Sequence, residues 1–318
     1  MRWTSLRADV ETDGRHAEVA FGKNWQEDAL RRDFTMNALY LDEGGRLYDP
    51  TGKGIADAKE RRVRFIGQAS QRIAEDYLRI LRFFRFFAQY GRAFDQQDYF
   101  ACVAAQKQLS TLSAERVGAE MVKLVTGRFA YGALEAMHKG GMLTSILGSV
   151  PHISRFARLQ RLAKRLYMSP DINLLFAALA VDVREDAARL ARVLRLPNRS
   201  RDHMMRMAQN VRTIRDVSED LLQKLAYEHS KETACDLVLL AVVRRQLAPD
   251  LTDLSMQMRN LELWQMPVFP LNGRDLLDRG MKPGPNVGCR LAQLERAWVN
   301  SGFELSKREL LSKAYLRR

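Results

Sequence analysis

Residues 30–37, LRRDFTMN, and residues 75–86, EDYLRILRFFRF, decide how this chain is read. In the second stretch Glu75, Arg79 and Arg82 stand at i, i+4 and i+7 of a helix predicted over Ser70–Tyr90, so one face carries an acid and two guanidiniums. Arg72 precedes them on that stripe, and Asp76 and Arg85 lie at its edges. A solvated helix face laced with Glu–Arg pairs uses the same spacing, each pair contributing about 0.2–0.5 kcal/mol. The sharper reading is chemical: carboxylate and guanidinium edges fixed on a helix can read the hydrogen-bonding edge of a nucleobase. Cytosine and adenine set an exocyclic amino donor beside a ring-nitrogen acceptor, whereas uracil and guanine reverse that polarity. Asp76 accepting from the amino group and Arg79 donating to the ring nitrogen would admit C and A and reject U and G. Arg82 and Arg85 continue toward the place where triphosphate or RNA phosphate would lie.

Working outward, Trp25–Leu39 reads as a helix with Asn24 as its cap, which sets Asp33 and Asn37 on one face beside Arg31 and Arg32. Such a cluster can bind phosphate, order the fold by Asp–Arg pairing, and hydrogen-bond a ribose hydroxyl. Asp33 as an anchor for the strand that follows remains open. His16–Phe21, Ala38–Asp42 and Arg62–Ile66 read as short strands punctuated by turns at Gly44–Gly45, Asp49–Pro50 and Gly52–Gly54. Two or three such strands are too few to close a core, so this amino-terminal part looks cut. From Ser70 almost to the end the pattern is helical, with no repeat and no low-complexity linker. The expected class is α+β: a partial β-sheet head over residues 1–67, then all-α segments over 68–127, 128–250 and 251–318.

Leu112–Leu124 carries Ser113 as an N-cap, with Arg116 and Glu120 spaced as an exposed pair, and Glu115 or Arg116 placed to brace the recognition helix. Two basic runs, Arg155–Arg165 and Arg192–Arg206, are candidates for phosphate contacts. In the first run Arg158, Arg161, Lys164 and Arg165 surround an apolar stripe. The stretch at 283–288, PGPNVG, precedes a helix, a weak phosphate-holding pattern by itself.

Composition sets the bounds. The 318 residues suffice for two or more cores, and 46% hydrophobic with 28% charged residues describes a globular protein. The net charge of +13 favours a polyanionic partner, nucleic acid before membrane. Cys102, Cys235 and Cys289 lie far apart without a CxxC pair or histidine at ligand spacing, which argues against a disulfide framework or zinc site and fits a reducing cytoplasm. No run of 18 apolar residues occurs, and the start, MRWTSLRADV, lacks a signal-peptide core. The five histidines form no triad. The sequence contains no Asp-x-Asp pair, and no Gly-rich loop precedes these segments, so no catalytic or metal-ligating residue is assigned.

Taken in order, these segments resemble the class II tRNA nucleotidyltransferase and poly(A) polymerase family. LRRDFTMNALY is similar to its RRDxTxNA motif, Tyr48-Asp49-Pro50 with the glycines after it to its DP-x-GG turn, EDYLRILRFFRF to its EDxxRxxRxxRF nucleotide-reading helix, and LSAERV to the next neck motif. PLNGRDLL and GMKPGPNVG are similar to a tail segment of bacterial CCA-adding members. The resemblance implies head, neck, body and tail domains that add C, C and A to tRNA 3′ ends from CTP and ATP, without a template and with Mg²⁺ in two-metal phosphoryl chemistry. It further implies a nucleotide site of Arg32, Asp76, Arg79, Arg82 and Arg85, with Asp76 and Arg79 reading the base and Asn37 supporting the ribose or the local fold. Asp33, Glu75, Glu115 and Arg116 would support that site, and the RNA would lie on the body and tail.

The departure is in the metal site. The family's GGxVRD loop and Asp-x-Asp strand lie upstream of every motif present here. A further family carboxylate is expected just before Thr4-Ser5, where this chain has Arg2-Trp3, and Asp9, Glu11 and Asp13 fall in the family's flexible loop. The expectation is that this polypeptide alone adds no nucleotide. A poly(A) polymerase, a non-catalytic tRNA-binding protein, or one subunit of a split enzyme completed by a missing head fragment are the alternatives. Oligomeric state is not legible.

Overall fold

The computed structural model describes residues 8–12, 17–20 and 25–313. Its strands are short and pair two by two rather than forming one sheet. β1 (Ala8–Thr12) runs antiparallel to β2 (Ala17–Ala20), and β3 (Tyr40–Leu41) antiparallel to β4 (Leu47–Tyr48). β5 (Arg62–Val63) runs parallel to β6 (Ala93–Phe94). The β3–β4 hairpin is closed where Asp42 Oδ1 accepts from the Arg46 backbone N–H at 2.8 Å and Gly45 takes a φ of +80°. The strand expected over Ala38–Asp42 thus shrinks to two residues, and that over Arg62–Ile66 to two residues plus one bridge between Phe34 and Phe65. His16, Phe21, the Asn24 cap and Asp13 lie outside the described residues.

The first unit reaches to Gln209. Its helices are α1 (Trp25–Arg31), α2 (Gly54–Glu60), α3 (Ala69–Glu75), α4 (Leu78–Tyr90), α5 (Gln96–Ala104) and α6 (Ala114–Val125). These are followed by α7 (Ala130–Lys139), α8 (Leu143–Leu147), α9 (Ile153–Arg165), α10 (Ile172–Ala180), α11 (Arg184–Val193) and α12 (Asn198–Asn210). Two expected helices are corrected. Trp25–Leu39 stops at Arg31, because Phe34 turns extended to pair with Phe65 and only a short 3-10 turn follows over Thr35–Asn37. Ser70–Tyr90 breaks at Asp76, whose backbone is extended (φ −154°, ψ 105°) and whose Oδ1 accepts from the Leu78 N–H at 3.0 Å. An aspartate that caps the next helix competes successfully with continuing the previous one.

An aromatic core underlies α4. Phe83 stacks on Phe65 at 5.4 Å, Phe87 on Phe94 at 3.8 Å, and Phe34 packs against Phe65, Phe83 and Phe86. Each buried phenylalanine contributes about 1.5–3 kcal/mol, so this face fixes which way the other face of α4 points. The turn over residues 49–54 is built from side chains: Asp49 Oδ2 accepts from the Ile55 N–H and Thr51 Oγ1 from the Gly54 N–H. Gly54 has no alternative there, since a Cβ would lie 2.6 Å from the Thr35 carbonyl oxygen.

Farther along, residues 174–180 of α10 are apolar and buried, and Arg155 of α9 reaches the end of that helix. Its guanidinium donates to the carbonyls of Ala177, Ala178 and Val181 and to Asp182, which satisfies the open C-terminal end of α10. The first residue of the basic run Arg155–Arg165 is therefore a structural clamp.

The second unit begins at Asn210 and holds α13 (Glu219–Glu228), α14 (Lys231–Val243), α15 (Leu251–Leu263), α16 (Gly273–Leu277), α17 (Pro285–Asn300) and α18 (Lys307–Lys313). One of its cores joins Leu271, Leu276, Leu294, Trp298 and Leu310, and Asn272 caps α16 in a reciprocal box with Asp275. The PGPNVG stretch supplies Pro285 as the first residue of α17. No described helix is long and apolar enough to cross a membrane.

Candidate nucleotide-recognition site

The polar face of α4 presents Arg79, Arg82 and Arg85 at i, i+3 and i+6, above the buried Leu78, Leu81, Phe84 and Ala88. The stripe predicted to include Glu75 on one continuous helix is instead split between α3 and α4. Glu75 still reaches across the break and accepts from both Arg72 and Arg79. Hydrogen bonding from Arg79 outweighs its burial and holds the Glu75 carboxyl below the usual range. Asp33, beyond the end of α1 and only 12% exposed, is the hub: Oδ1 accepts from Arg79 Nε at 2.9 Å and Oδ2 from Arg82 Nη1 at 3.0 Å. Asp33 and Asn37 do not share a helix face, because the chain turns extended between them.

Arg32 and Asn37 are held by local bonds. Arg32 donates to Asp28, to the Tyr40 hydroxyl and to the Asn37 carbonyl, and Asn37 Oδ1 accepts from the Phe34 N–H. Burial pulls the Asp28 carboxyl upward, but hydrogen bonds from Tyr40, Arg31 and Arg32 overcome it and hold it at about 2, while burial and the Asp28 partner push Tyr40 to about 12. Arg72 closes the end of α1 by donating to the carbonyls of Arg31 and Arg32 at 3.1 and 3.0 Å.

Asp76 is bridged from the other side. Its Oδ2 accepts from Arg116 Nη2 at 2.8 Å, and Glu120, one turn on in α6, accepts from Arg85 Nε at 2.5 Å. Ser113 caps α6 as its sequence suggests. The expected exposed Arg116–Glu120 pair is replaced by two bridges to the α3–α4 region, with Glu120 buried. Glu115 pairs elsewhere, with Arg195 at 3.2 Å. Sequence reasoning missed Asp28, Tyr40 and the Glu120–Arg85 bridge; Asp28 stands three and four positions before Arg31 and Arg32, a spacing that could have found it, whereas partners 35 positions apart leave no local signal.

Each oxygen of Asp76 keeps lone-pair capacity beyond its one bond, and Arg79 Nη2 has no protein partner among the described residues. An acceptor and a donor near the start of one helix, both braced by ion pairs, are the parts a base-edge reader needs. For Mg²⁺ the fit is poor: among the described residues no group of His, Cys, Asp or Glu could hold an ion, and Asp33, Glu75, Asp76 and Glu120 each face guanidinium. These residues assign no step to a metal. A separate cleft of about 1090 Å³ is lined by Leu30, Thr35, Lys53, Arg62, Arg64 and Asp95 among others, and by none of the residues above.

Of the RNA-contact candidates on α9, Arg161, Lys164 and Arg165 are exposed and Arg158 is half-buried. In the second run Arg195 pairs with Glu115 and Arg201 with Asp202, so neither run is a row of unpaired charges.

Comparison with known proteins agrees with this arrangement. Residues 1–64 match the Poly A polymerase head domain family, and residues 171–314 the tRNA nucleotidyltransferase domain 2 family. The chain is 32% identical over 320 residues to the mouse protein named CCA tRNA nucleotidyltransferase 1, mitochondrial, covering 97% of this chain and 71% of that one. It is also 32% identical over 298 residues to the CCA-adding enzyme of Streptococcus gordonii, covering 92% and 73%. The crystal structure of the Bacillus stearothermophilus CCA-adding enzyme in complex with CTP superposes with a TM-score of 0.75 at 26% identity, over 98% of this chain and 77% of that one. By motif order, α+β architecture and relatedness over nearly its whole length, the chain belongs to the class II, CCA-adding tRNA nucleotidyltransferase family.

Proposed function

We propose that this chain serves the addition of C, C and A to tRNA 3′ ends, and that the residues around α4 select CTP and ATP. The observation that carries the reading is the brace around Asp76 and Arg79: Arg116 from α6 holds the carboxylate, and Asp33 from beyond the end of α1 and Glu75 from α3 hold the guanidinium three positions on. In this assignment Asp76 accepts from the exocyclic amino group and Arg79 Nη2 donates to the ring nitrogen. Arg32, Arg82 and Arg85 face triphosphate, while Asn37 keeps the local turn. Residues 1–67 would act as the head, 68–127 as the neck, 128–250 as the body and 251–318 as the tail. The tRNA would follow the exposed basic side chains of α9. Cysteine usage supports a reducing, cytoplasmic setting.

Equilibrium binding of CTP, ATP, UTP and GTP to the purified chain tests the base-reading assignment. CTP and ATP should bind about tenfold more tightly than UTP and GTP. Asp76→Ala should erase that preference while changing stability by about 1 kcal/mol, the worth of its cap. Equal binding of all four nucleotides by the unsubstituted chain would remove the reading.

The 318-residue polypeptide by itself is expected not to join the nucleotides it selects, because its sequence has no Asp-x-Asp pair to hold Mg²⁺. Robust incorporation of radiolabelled CTP into tRNA by the purified chain would overturn that expectation. A poly(A) polymerase reading draws on the match of residues 1–64 to the Poly A polymerase head domain. Complementation with a separately expressed head that carries the Asp-x-Asp pair distinguishes the two by product: three added nucleotides requiring CTP, or a long tail from ATP alone.

A further inference from the structure

The end of α9 departs from the rest of the surface. Tyr167 is 97% exposed, and its backbone lies in the left-handed region with φ +53°. The chain leaves the helix through a local cap in which the Met168 N–H donates to the Ala163 carbonyl at 2.9 Å. Glycine or asparagine occupies such a position with the least strain; a tyrosine there is strained by its Cβ. The ring gains nothing in return from packing, since almost none of it is buried. Its neighbours are cationic. Arg161, Lys164 and Arg165 are all exposed on the last turn and a half of α9. The next acid along the chain, Asp171, is occupied as the cap of α10, accepting from the Asn173 N–H at 2.7 Å.

An aromatic face held clear of the protein and flanked by three cations fits one chemistry well. A nucleobase has a π face that stacks on tyrosine, and the phosphates on either side of it suit the cations. A protein partner would be expected to bury the ring among apolar side chains, whereas here Met168 is the one exposed apolar residue next to it and the exposed residues of the last turn and a half of α9 are cationic. We propose that Tyr167 is a stacking platform for an unpaired nucleobase of the bound RNA, with Arg161, Lys164 and Arg165 taking the flanking phosphates. This rests on the tRNA-binding reading above and adds to it the point where α9 engages a base rather than the backbone alone.

The test is binding of a fluorescently labelled tRNA transcript to the full chain, beside a fully paired RNA duplex without unpaired bases. Tyr167→Ala should weaken tRNA binding about tenfold, and Tyr167→Trp should restore it, because stacking and not the hydroxyl is what is used. The duplex, which offers no free base, should bind Tyr167→Ala and the unsubstituted chain alike. Thermal unfolding of Tyr167→Ala should match the parent, since the side chain is solvent-exposed. Lys164→Gln with Arg165→Gln should flatten the salt dependence of both RNAs, which Tyr167→Ala should not. If the parent binds tRNA and Tyr167→Ala binds it equally, or loses tRNA and duplex alike, the stacking assignment is wrong while the tRNA reading stands. If the parent binds neither RNA, both fall together.

Discussion

Asp98 offers the most quantitative check on how the α4 site is supported. It lies in α5 and is buried, and its Oδ2 accepts from the Phe65 N–H at 2.6 Å, tying α5 to the segment that carries the aromatic core under α4. Burial pushes its carboxyl from the ordinary 3.8 to about 6, against the lowering effect of the Phe65 hydrogen bond, and nearby Asp95 adds to the rise. A folded-state value above the unfolded one means that the native state prefers the protonated acid. Its contribution to stability is full below about pH 3.8 and is lost as pH rises through about 6, so at pH 8 the ionised group is a net cost. A difference of that size corresponds to about 3 kcal/mol. Asp98→Asn keeps an oxygen for the Phe65 N–H and never ionises. It should therefore gain about 3 kcal/mol more, relative to the parent, at pH 8 than at pH 3. For a unit of this size that is about 6–12 °C in the melting temperature. Melting of both proteins across this pH range gives the difference curve directly. A flat difference curve, or one that falls toward pH 8, would refute the reasoning.

Two further substitutions probe the brace. Gly118→Ala places a Cβ 1.9 Å from the Leu194 carbonyl oxygen, where backbone must move, so it should cost about 1–3 kcal/mol and disturb the helix that carries Arg116 and Glu120; an unchanged melting temperature would contradict it. Arg116→Ala removes a pair whose side chains are 49% and 26% exposed, so stability should change by about 0.2–1 kcal/mol at most. Because Asp76 then loses its orienting partner, the preference for CTP and ATP over UTP and GTP should narrow, as read by nucleotide-binding titrations.

Much of the fold was legible in local patterns. Ser113 and Asp95 are capping residues placed at the starts of α6 and α5. The apolar positions of α4 mark its buried face. The break at Asp76 had a signal too: aspartate is a helix-capping residue type, and here its side chain accepts from the Leu78 N–H two positions on. Periodicity over a long window outweighed that cue in the expected Ser70–Tyr90 helix. The basic run at α9 was legible as charge, but not the conversion of Arg155 into a buried clamp, which depends on where the end of α10 lies.

The sequence by itself determined the order of the motifs, the helical character of most of the chain and the residue types of the site, because caps, turns and apolar periods act over a few positions. Only the tertiary structure decided which charges meet. Asp33 finds Arg79 and Arg82 across 46 and 49 positions, and Asp76 finds Arg116 across 40. Those pairings follow from the packing of Phe34, Phe65, Phe83 and Phe87 beneath α4, which sets the rotation of the helix and hence the carboxylate that each guanidinium can reach.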